Sequence, residues 1–465
     1  MGVTADLASF TANMQLTRLP DGVVHRARLL VLDLIGSIVR ARHESDSTPS
    51  LLSAARVLGV AAGSSGVFGD CARYTPAGAA FLNAALGHSL DFDDTHAAGS
   101  LHPGCPVIPA ALAAGEMTGA SGADVLAGIV AGYEVTIRVA LALPAADHYA
   151  RGFHPTSTCG AFGAAAAAAR VLGLNADGVA SALGIALSQS AGSLQFLANG
   201  AWTKRFQVGW ACMGGLAAAV LAREGFKGAA DAIEGTYGFL QAYAPAPNPA
   251  RATQDLGTVF ELMQTAVKPY PSCRYGHAGI DAALALRMEH SLDPSSIESA
   301  VLGLPEAGMR LIGEPAEQKS NPESVVDGQF SGPFVIAAAL LTGGMGWDSY
   351  ALLHDSAAHA LMRRIRCERD AEVQAMFPRN MAGRLTVTAA GRTYNKLVEV
   401  PKGELDNFLT DAELRAKFDT LSAPVLGTER TRSLAEAVLA LDAAPGVGAL
   451  MRLGAPVGAA RMAGD

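Results

Sequence analysis

A mainly α protein is predicted: a large all-helical domain formed by both chain ends, with a smaller α+β lid domain inserted between them. Three observations carry that class. Apolar residues recur at helical spacing through most of the first 267 residues, beginning with Asp21–Arg42. Helix punctuation is regular, with Ser121 and Asn175 ahead of apolar runs and Pro144 closing one. β signals are confined to Ile297–Leu304 and Arg384–Val400, the latter a hairpin turning at Gly391. A chain of 465 residues exceeds one simple core. The expected boundaries are 1–267 and 404–465 for the helical domain and 268–403 for the lid.

Taken in order, Asp21 is read as the N-cap of a helix running to Arg42, followed by helices at Leu51–Leu58 and Pro76–Leu86. Ala84–Asp94 is read as a helical continuation. Val107–Thr118 follows, then Ala123–Leu143 after its Ser121 cap. Ala145–Thr158 is a polar, aromatic loop. Cys159–Leu172 is nearly all alanine and glycine, so its neighbours must pack very close. Ala176–Ser190 and Phe206–Arg223 complete the first helical part. Beyond Lys268, helices are expected at Gly328–Leu341, Asp348–His354 and Ala357–Arg366, and then at Asp411–Leu421 and Thr428–Leu441. A glycine-rich tail, Gly454–Asp465, is expected to be poorly ordered.

Half the residues are hydrophobic and 17% are charged, which indicates a large core and not disorder. The balance of 35 Lys+Arg against 43 Asp+Glu argues against a nucleic-acid partner. Six widely spaced cysteines without a CxxC pair fit free thiols in a reducing compartment. No secretory or transit pattern opens the chain, and its apolar runs are broken early, as by Arg170. A cytoplasmic protein without membrane contact is expected.

The chemistry concentrates in Gly87–Gly104, GHSLDFDDTHAAGSLHPG, with three aspartates and three histidines. On a helix His88, Asp91 and Thr95 would share a face, while His102, before Pro103, lies on extended backbone. A second His-Pro pair, His154-Pro155, lies in a loop that also carries Tyr149. Lys204 and Arg205 open a helix whose N-terminus suits an anion. Lys268, Cys273, Arg274 and His277 fall within VKPYPSCRYGH.

Other chemistries fit less well. No GxGxxG, P-loop, GxSxG or HExxH occurs, and Asp93-Asp94 lacks the last carboxylate of a DDxxD magnesium motif. No cofactor and no metal are called for. Loop histidines, a carboxylate and several cations suit proton transfer on a small polycarboxylate, with the cations holding carboxylates and stabilising an enediolate.

The motifs GHSLDFDDTH, HPG, RGFHPTSTCGAFGAAAAAARVLGL, WTKRF and VKPYPSCRYGH, in this order, resemble the MmgE/PrpD family. That family includes 2-methylcitrate dehydratase, cis-aconitate decarboxylase and iminodisuccinate epimerase. The resemblance, over roughly residues 5–445, implies the discontinuous helical domain with its lid, and a homodimer. It places active-site roles on Asp91, Thr95, His102, His154, Lys204 and Lys268. Two positions depart from the decarboxylase pattern: Cys273 stands for a histidine and Phe334 for a tyrosine. Tyr149 could supply the missing hydroxyl.

The leading expectation is therefore a cofactor-independent lyase, most simply a dehydratase or else a decarboxylase, acting on a citrate-like polycarboxylate. His102 or His154 moves the proton, and Asp91 orients or charges that imidazole. Thr95, Lys204, Arg274, Cys273 and His277 contact substrate, though His277 could equally be hinge packing. The alternatives are an epimerase of an amino- or imino-dicarboxylate, with Tyr149 and Lys268 on opposite faces of the carbon, and a non-catalytic anion-binding scaffold.

Overall fold

Small side chains set the helix packing of the amino-terminal half. The computed structural model describes residues 2–457 and divides into two units, Met1–Ala266 with Thr410–Asp465, and Val267–Leu409. Of the glycine-rich tail, residues 458–465 lie outside the described residues. The first unit contains α1 (Val3–Ala12), α2 (Asp21–Glu44), α3 (Thr48–Val57), α4 (Pro76–Gly87), α5 (Gly104–Thr118) and α6 (Gly122–Leu141). These are followed by α7 (Ala145–Ala150), α8 (Pro155–Thr158), α9 (Gly160–Val171), α10 (Ala176–Leu187) and α11 (Thr203–Arg223).

The alanine-glycine helix α9 is packed by α5, α6, α10 and α11, and from Gly160 to Ala169 it is wholly buried. A Cβ on Gly163 would lie 1.6 Å from Thr136 Oγ1 of α6, and one on Gly215 of α11 would lie 2.5 Å from the Ala164 Cβ. Backbones this close leave little room for larger residues, which is why α9 is alanine and glycine apart from Phe162, Arg170 and Val171. The caps form as expected: the Ser121 hydroxyl accepts from the Asp124 N–H, and the Asn175 side chain accepts from the Gly178 N–H. Asp21 is instead the first residue of α2, after Pro20. The expected loop 145–158 holds two short helices, α7 and α8. Among the described residues α11 alone is long and apolar enough to cross a bilayer, and 61% of that window is buried within the protein.

Two short strand pairs in this unit escaped the sequence reading. In the first, β1 (Ser65–Gly66) pairs with β2 (Arg73–Tyr74). The turn between them holds Asp70, which accepts from Arg42 Nε and from the Tyr74 hydroxyl, both at 2.8 Å, and from the Ala72 N–H at 3.0 Å. Burial alone would raise the Asp70 carboxyl, but Arg42 and these hydrogen bonds hold it below the usual carboxylate range. A lowered folded pKa stabilises above the unfolded value of ~3.9 and is lost as pH falls through it. Asp70→Asn is expected to cost about 1–3 kcal/mol at neutral pH and to flatten the acid limb below pH ~4. Denaturant midpoints measured across pH check both.

The second pair corrects the helix expected over Ala84–Asp94. Helix α4 stops at Gly87 with His88 as its C-cap, and Ser89 Oγ donates back to the Ala85 carbonyl at 2.7 Å. Asp91 adopts a left-handed φ of 53°, a region aspartate tolerates better than most residues. Thr95–His96 form β3, antiparallel to β4 (Thr265–Ala266). His88, Asp91 and Thr95 therefore share no helical face. Serine and aspartate bond locally to backbone and disfavour continued helix.

The second unit packs α12 (His277–His290) and α13 (Gly332–Thr342) on a four-stranded sheet. Its strands are β5 (Ile297–Leu304), β6 (Ile365–Arg369), β7 (Gly383–Ala389) and β8 (Arg392–Val398), in the order β6-β5-β7-β8. The β5–β6 pair is parallel and the others are antiparallel. The hairpin turns through Ala390 and Gly391, both at positive φ (48° and 71°), as a two-residue connection requires. Strand β6 overlaps the helix expected at Ala357–Arg366, which instead ends at Met362. The helix expected at Gly328–Leu341 is broken at Ser331, whose hydroxyl caps α13. Trp347–His354 is a 3-10 helix. After this unit, α14 (Asp411–Leu426), α15 (Thr428–Leu439) and a short helix at Gly448–Leu453 return to the first one, with α14 packed along α2.

Candidate active site

Four places in the first unit bring two imidazoles, those of His88 and His102, to one carboxylate and a third, that of His154, beside His88. His88 caps α4, Asp93 lies in the irregular stretch before β3, His102 precedes α5 and His154 opens α8. His88 Nδ1 lies 2.7 Å from Asp93 Oδ2, and His102 Nδ1 lies 3.4 Å from the same oxygen. The His88 ring centroid is 4.8 Å from that of His102 and 5.7 Å from that of His154. The two His-Pro turns are tied together, since the His102 N–H donates to Thr156 Oγ1 at 3.1 Å. Both histidines lie outside the helix that follows, and His154 before Pro155 has extended backbone (φ −98°, ψ 100°).

The environments set different protonation states. Burial pushes His88 down to about 4, against the pull of Asp93, so at neutral pH it is uncharged and donates Nδ1–H to Asp93. Burial, with His88 and Lys204 nearby, drives His154 well below the ordinary histidine value. Its Nδ1 lies 3.1 Å from Gln207 Oε1, while Gln207 Nε2 donates to the Ser193 carbonyl. That orientation assigns Nδ1–H to His154 and leaves Nε2 as a base. Burial alone would raise Asp93, but the imidazoles of His88 and His102 hold it well below the usual range. Its neighbour Asp94 goes the other way: buried, accepting from Tyr133 at 2.6 Å and from the Gly104 N–H at 3.1 Å, it is pushed up to about 8. Two adjacent aspartates thus carry opposite states, Asp93 ionised and Asp94 neutral.

The expected partnership of Asp91 with an imidazole is corrected by this geometry. Asp91 Oδ1 pairs with Lys204 Nζ at 2.6 Å, and Asp93 occupies the place beside His102. Burial lowers Lys204, but Asp91 and Asp93 hold it above the ordinary lysine value, so it stays charged. It sits in the first turn of α11 as an ammonium already matched by a carboxylate, and not as an uncommitted anion clamp. Thr95 Oγ1 is buried without a hydrogen-bond partner among the described residues. Tyr149, 40% exposed, donates to the Ser100 carbonyl at 3.3 Å. Asp93 was missed because a helical phase selects Asp91, and His88, on that same expected face, was given no catalytic role; the clustering of His and Asp in the motif was the available signal.

The remaining expected residues belong to the second unit. Lys268 and Cys273 are buried there, and the Cys273 N–H donates to the Gln329 carbonyl. Arg274 is held by Glu404, with Nη2 at 2.6 Å from Oε2, so an internal carboxylate occupies the guanidinium expected to bind substrate. His277 is buried, donates to the Ser272 carbonyl at 3.2 Å and packs edge-on to Tyr270. Phe334 is a core residue stacked on Tyr350, with centroids 5.5 Å apart.

Comparison with known proteins gives two family matches, to the MmgE/PrpD N-terminal domain over residues 5–252 and to the MmgE/PrpD C-terminal domain over residues 270–443. The chain is 29% identical to a cis-aconitate decarboxylase-like protein, oryM, of Aspergillus oryzae, over 97% of each chain. It is 26% identical to cis-aconitate decarboxylase of Aspergillus terreus, over 97% of this chain and 96% of that one. It is also 27% identical to the mouse (Mus musculus) cis-aconitate decarboxylase, over 97% and 93%. With both family domains present in order and spanning nearly the whole sequence, the chain belongs to the MmgE/PrpD family.

Proposed function

We propose that this protein is a cofactor-independent lyase of small polycarboxylates, with a cis-aconitate-like tricarboxylate as the first substrate class. The observation that carries the reading is the placement of both His102 and His154 against the ring of His88, with Asp93 beside His102 and the charged Lys204 at the same site. The decarboxylase names of relatives matched over nearly their full length put carbon dioxide loss ahead of water loss, reversing the order favoured by sequence alone. Those relatives lend no support to an epimerase.

In the decarboxylation, the bond from the CH2 carbon to its carboxylate breaks and carbon dioxide leaves. The electron pair forms a new double bond, and the former alkene carbon takes a proton. His102 is the donor, because Asp93 supplies a fixed negative charge beside its ring. On a hydroxy acid the same pair would act in sequence: His154 Nε2 removes the α-proton, and His102 protonates the departing hydroxyl. Lys204, kept charged by Asp91, supplies positive charge at the site that favours an anionic substrate. Lys268, Cys273, Arg274 and His277 carry no step in this proposal.

Proton NMR of the protein with a panel of cis-aconitate, citrate, 2-methylcitrate and simple dicarboxylates tests the reading. The expected result is consumption of a tricarboxylate with release of carbon dioxide, or alkene formation from a hydroxy acid. A folded protein that yields neither across the panel overturns it.

A further inference from the structure

We propose that His88, Asp93 and Cys105 form a binding site for a thiophilic divalent metal ion of the zinc type, with His102 as fourth ligand, and that the bound ion blocks turnover. The blocking rests on the lyase reading above; the binding does not.

One ligand atom from each of His88, Asp93 and Cys105 lies within 4.8 Å of the other two. Cys105 Sγ is 3.7 Å from His88 Nδ1, which is itself 2.7 Å from Asp93 Oδ2. His102 Nδ1 stands 3.4 Å from that oxygen. Tetrahedral zinc, with bonds of ~2.0–2.3 Å, needs its ligands roughly 3.3–3.8 Å apart. The sulfur–nitrogen spacing already meets this, and the His88–Asp93 contact must widen by about half an ångström. A mixed nitrogen, oxygen and sulfur donor set favours zinc over magnesium or calcium.

A second observation points to a ligand. Asp93 Oδ1 and His88 Nε2 are both buried without hydrogen-bond partners among the described residues, so the cluster has unused polar capacity. His88, Asp93 and Cys105 are buried, while the His102 side chain is 17% exposed and gives the ion a way in.

Binding balances in charge and protons. The Cys105 S–H bond breaks as the metal–sulfur bond forms, and that proton leaves to solvent. The Nδ1 proton of His88 moves to its unpartnered Nε2, freeing Nδ1 for the metal. Carboxylate and thiolate then neutralise the dication. His102 Nδ1 and Asp93 are both occupied, so the imidazole loses its carboxylate.

The test uses the full chain, stripped of metal and titrated with cobalt chloride as a spectroscopic stand-in for zinc. The expected result is one cobalt per chain with a thiolate-to-cobalt charge-transfer band, bleached when zinc chloride displaces it. Cys105→Ser should remove the band and raise the zinc concentration needed for half-inhibition at least tenfold, with metal-free turnover unchanged. Absence of the band, or a band undiminished in Cys105→Ser, overturns the proposal. If the lyase reading fails there is no turnover to inhibit, and the cobalt band still decides the metal site.

Discussion

Replacing His102 by Gln is expected to lower kcat by about a hundredfold to ten-thousandfold, the range for removal of a general acid–base group. Asp93→Asn should fall in the same range, because its carboxylate is the fixed charge beside that ring. Asparagine keeps the shape and an acceptor for His88, so the fold should survive, as circular dichroism would verify. If Asp93 acts through His102, the two losses must not add: the double variant should be no slower than His102→Gln alone. Losses that multiply would show that Asp93 has a separate role, and a His102→Gln protein with wild-type kcat would remove the proposed donor.

Arg138→Ala is expected to destabilise the first unit by about 3–5 kcal/mol, the cost of leaving a buried charge without its partner. Arg138 is fully buried in α6; its Nε donates to Glu134 at 2.9 Å, and its other nitrogens donate to the Gln254 and Val259 carbonyls, both at 2.6 Å. Glu134 in turn accepts from the Leu262 N–H at 2.9 Å. This network fixes the segment leading into β4, which pairs with the Thr95–His96 strand. Urea unfolding reads the effect, and a loss under about 1 kcal/mol would mean the pair adds nothing beyond an ordinary hydrogen bond.

The parts of the fold legible from the sequence are those where local signals and burial agree. Ser121 and Asn175 cap the helices they precede, and the alternation in Arg384–Val400 is a hairpin with Leu385, Val387 and Ala389 buried on one face. The alanine-glycine stretch is the packing centre its composition demands. Strand β6, Ile-Arg-Cys-Glu-Arg, was hidden because an edge strand of charged residues lacks apolar alternation.

The site was legible in its residue types and less so in its pairings. His102, His154, Asp91, Thr95 and Lys204 were all named, but Asp91 was set beside an imidazole. In a stretch where side chains bond to backbone and to one another, a single irregular turn decides which of Asp91, Asp93 and Asp94 meets the ring. Here a left-handed Asp91 turns toward Lys204, Asp93 lies between His88 and His102, and Asp94 supports the start of α5. Periodicity carries no information about such a turn.

A nitrogen-15 NMR titration of the histidines, without and with a tricarboxylate, tests the two-imidazole centre most directly. The expected result is that His154 remains neutral in the Nδ1–H form through pH ~6.5, where an ordinary histidine is half protonated, and that the ligand shifts the His102 and His154 signals together. A His154 that titrates near that ordinary value, or a ligand that moves neither ring, would contradict it.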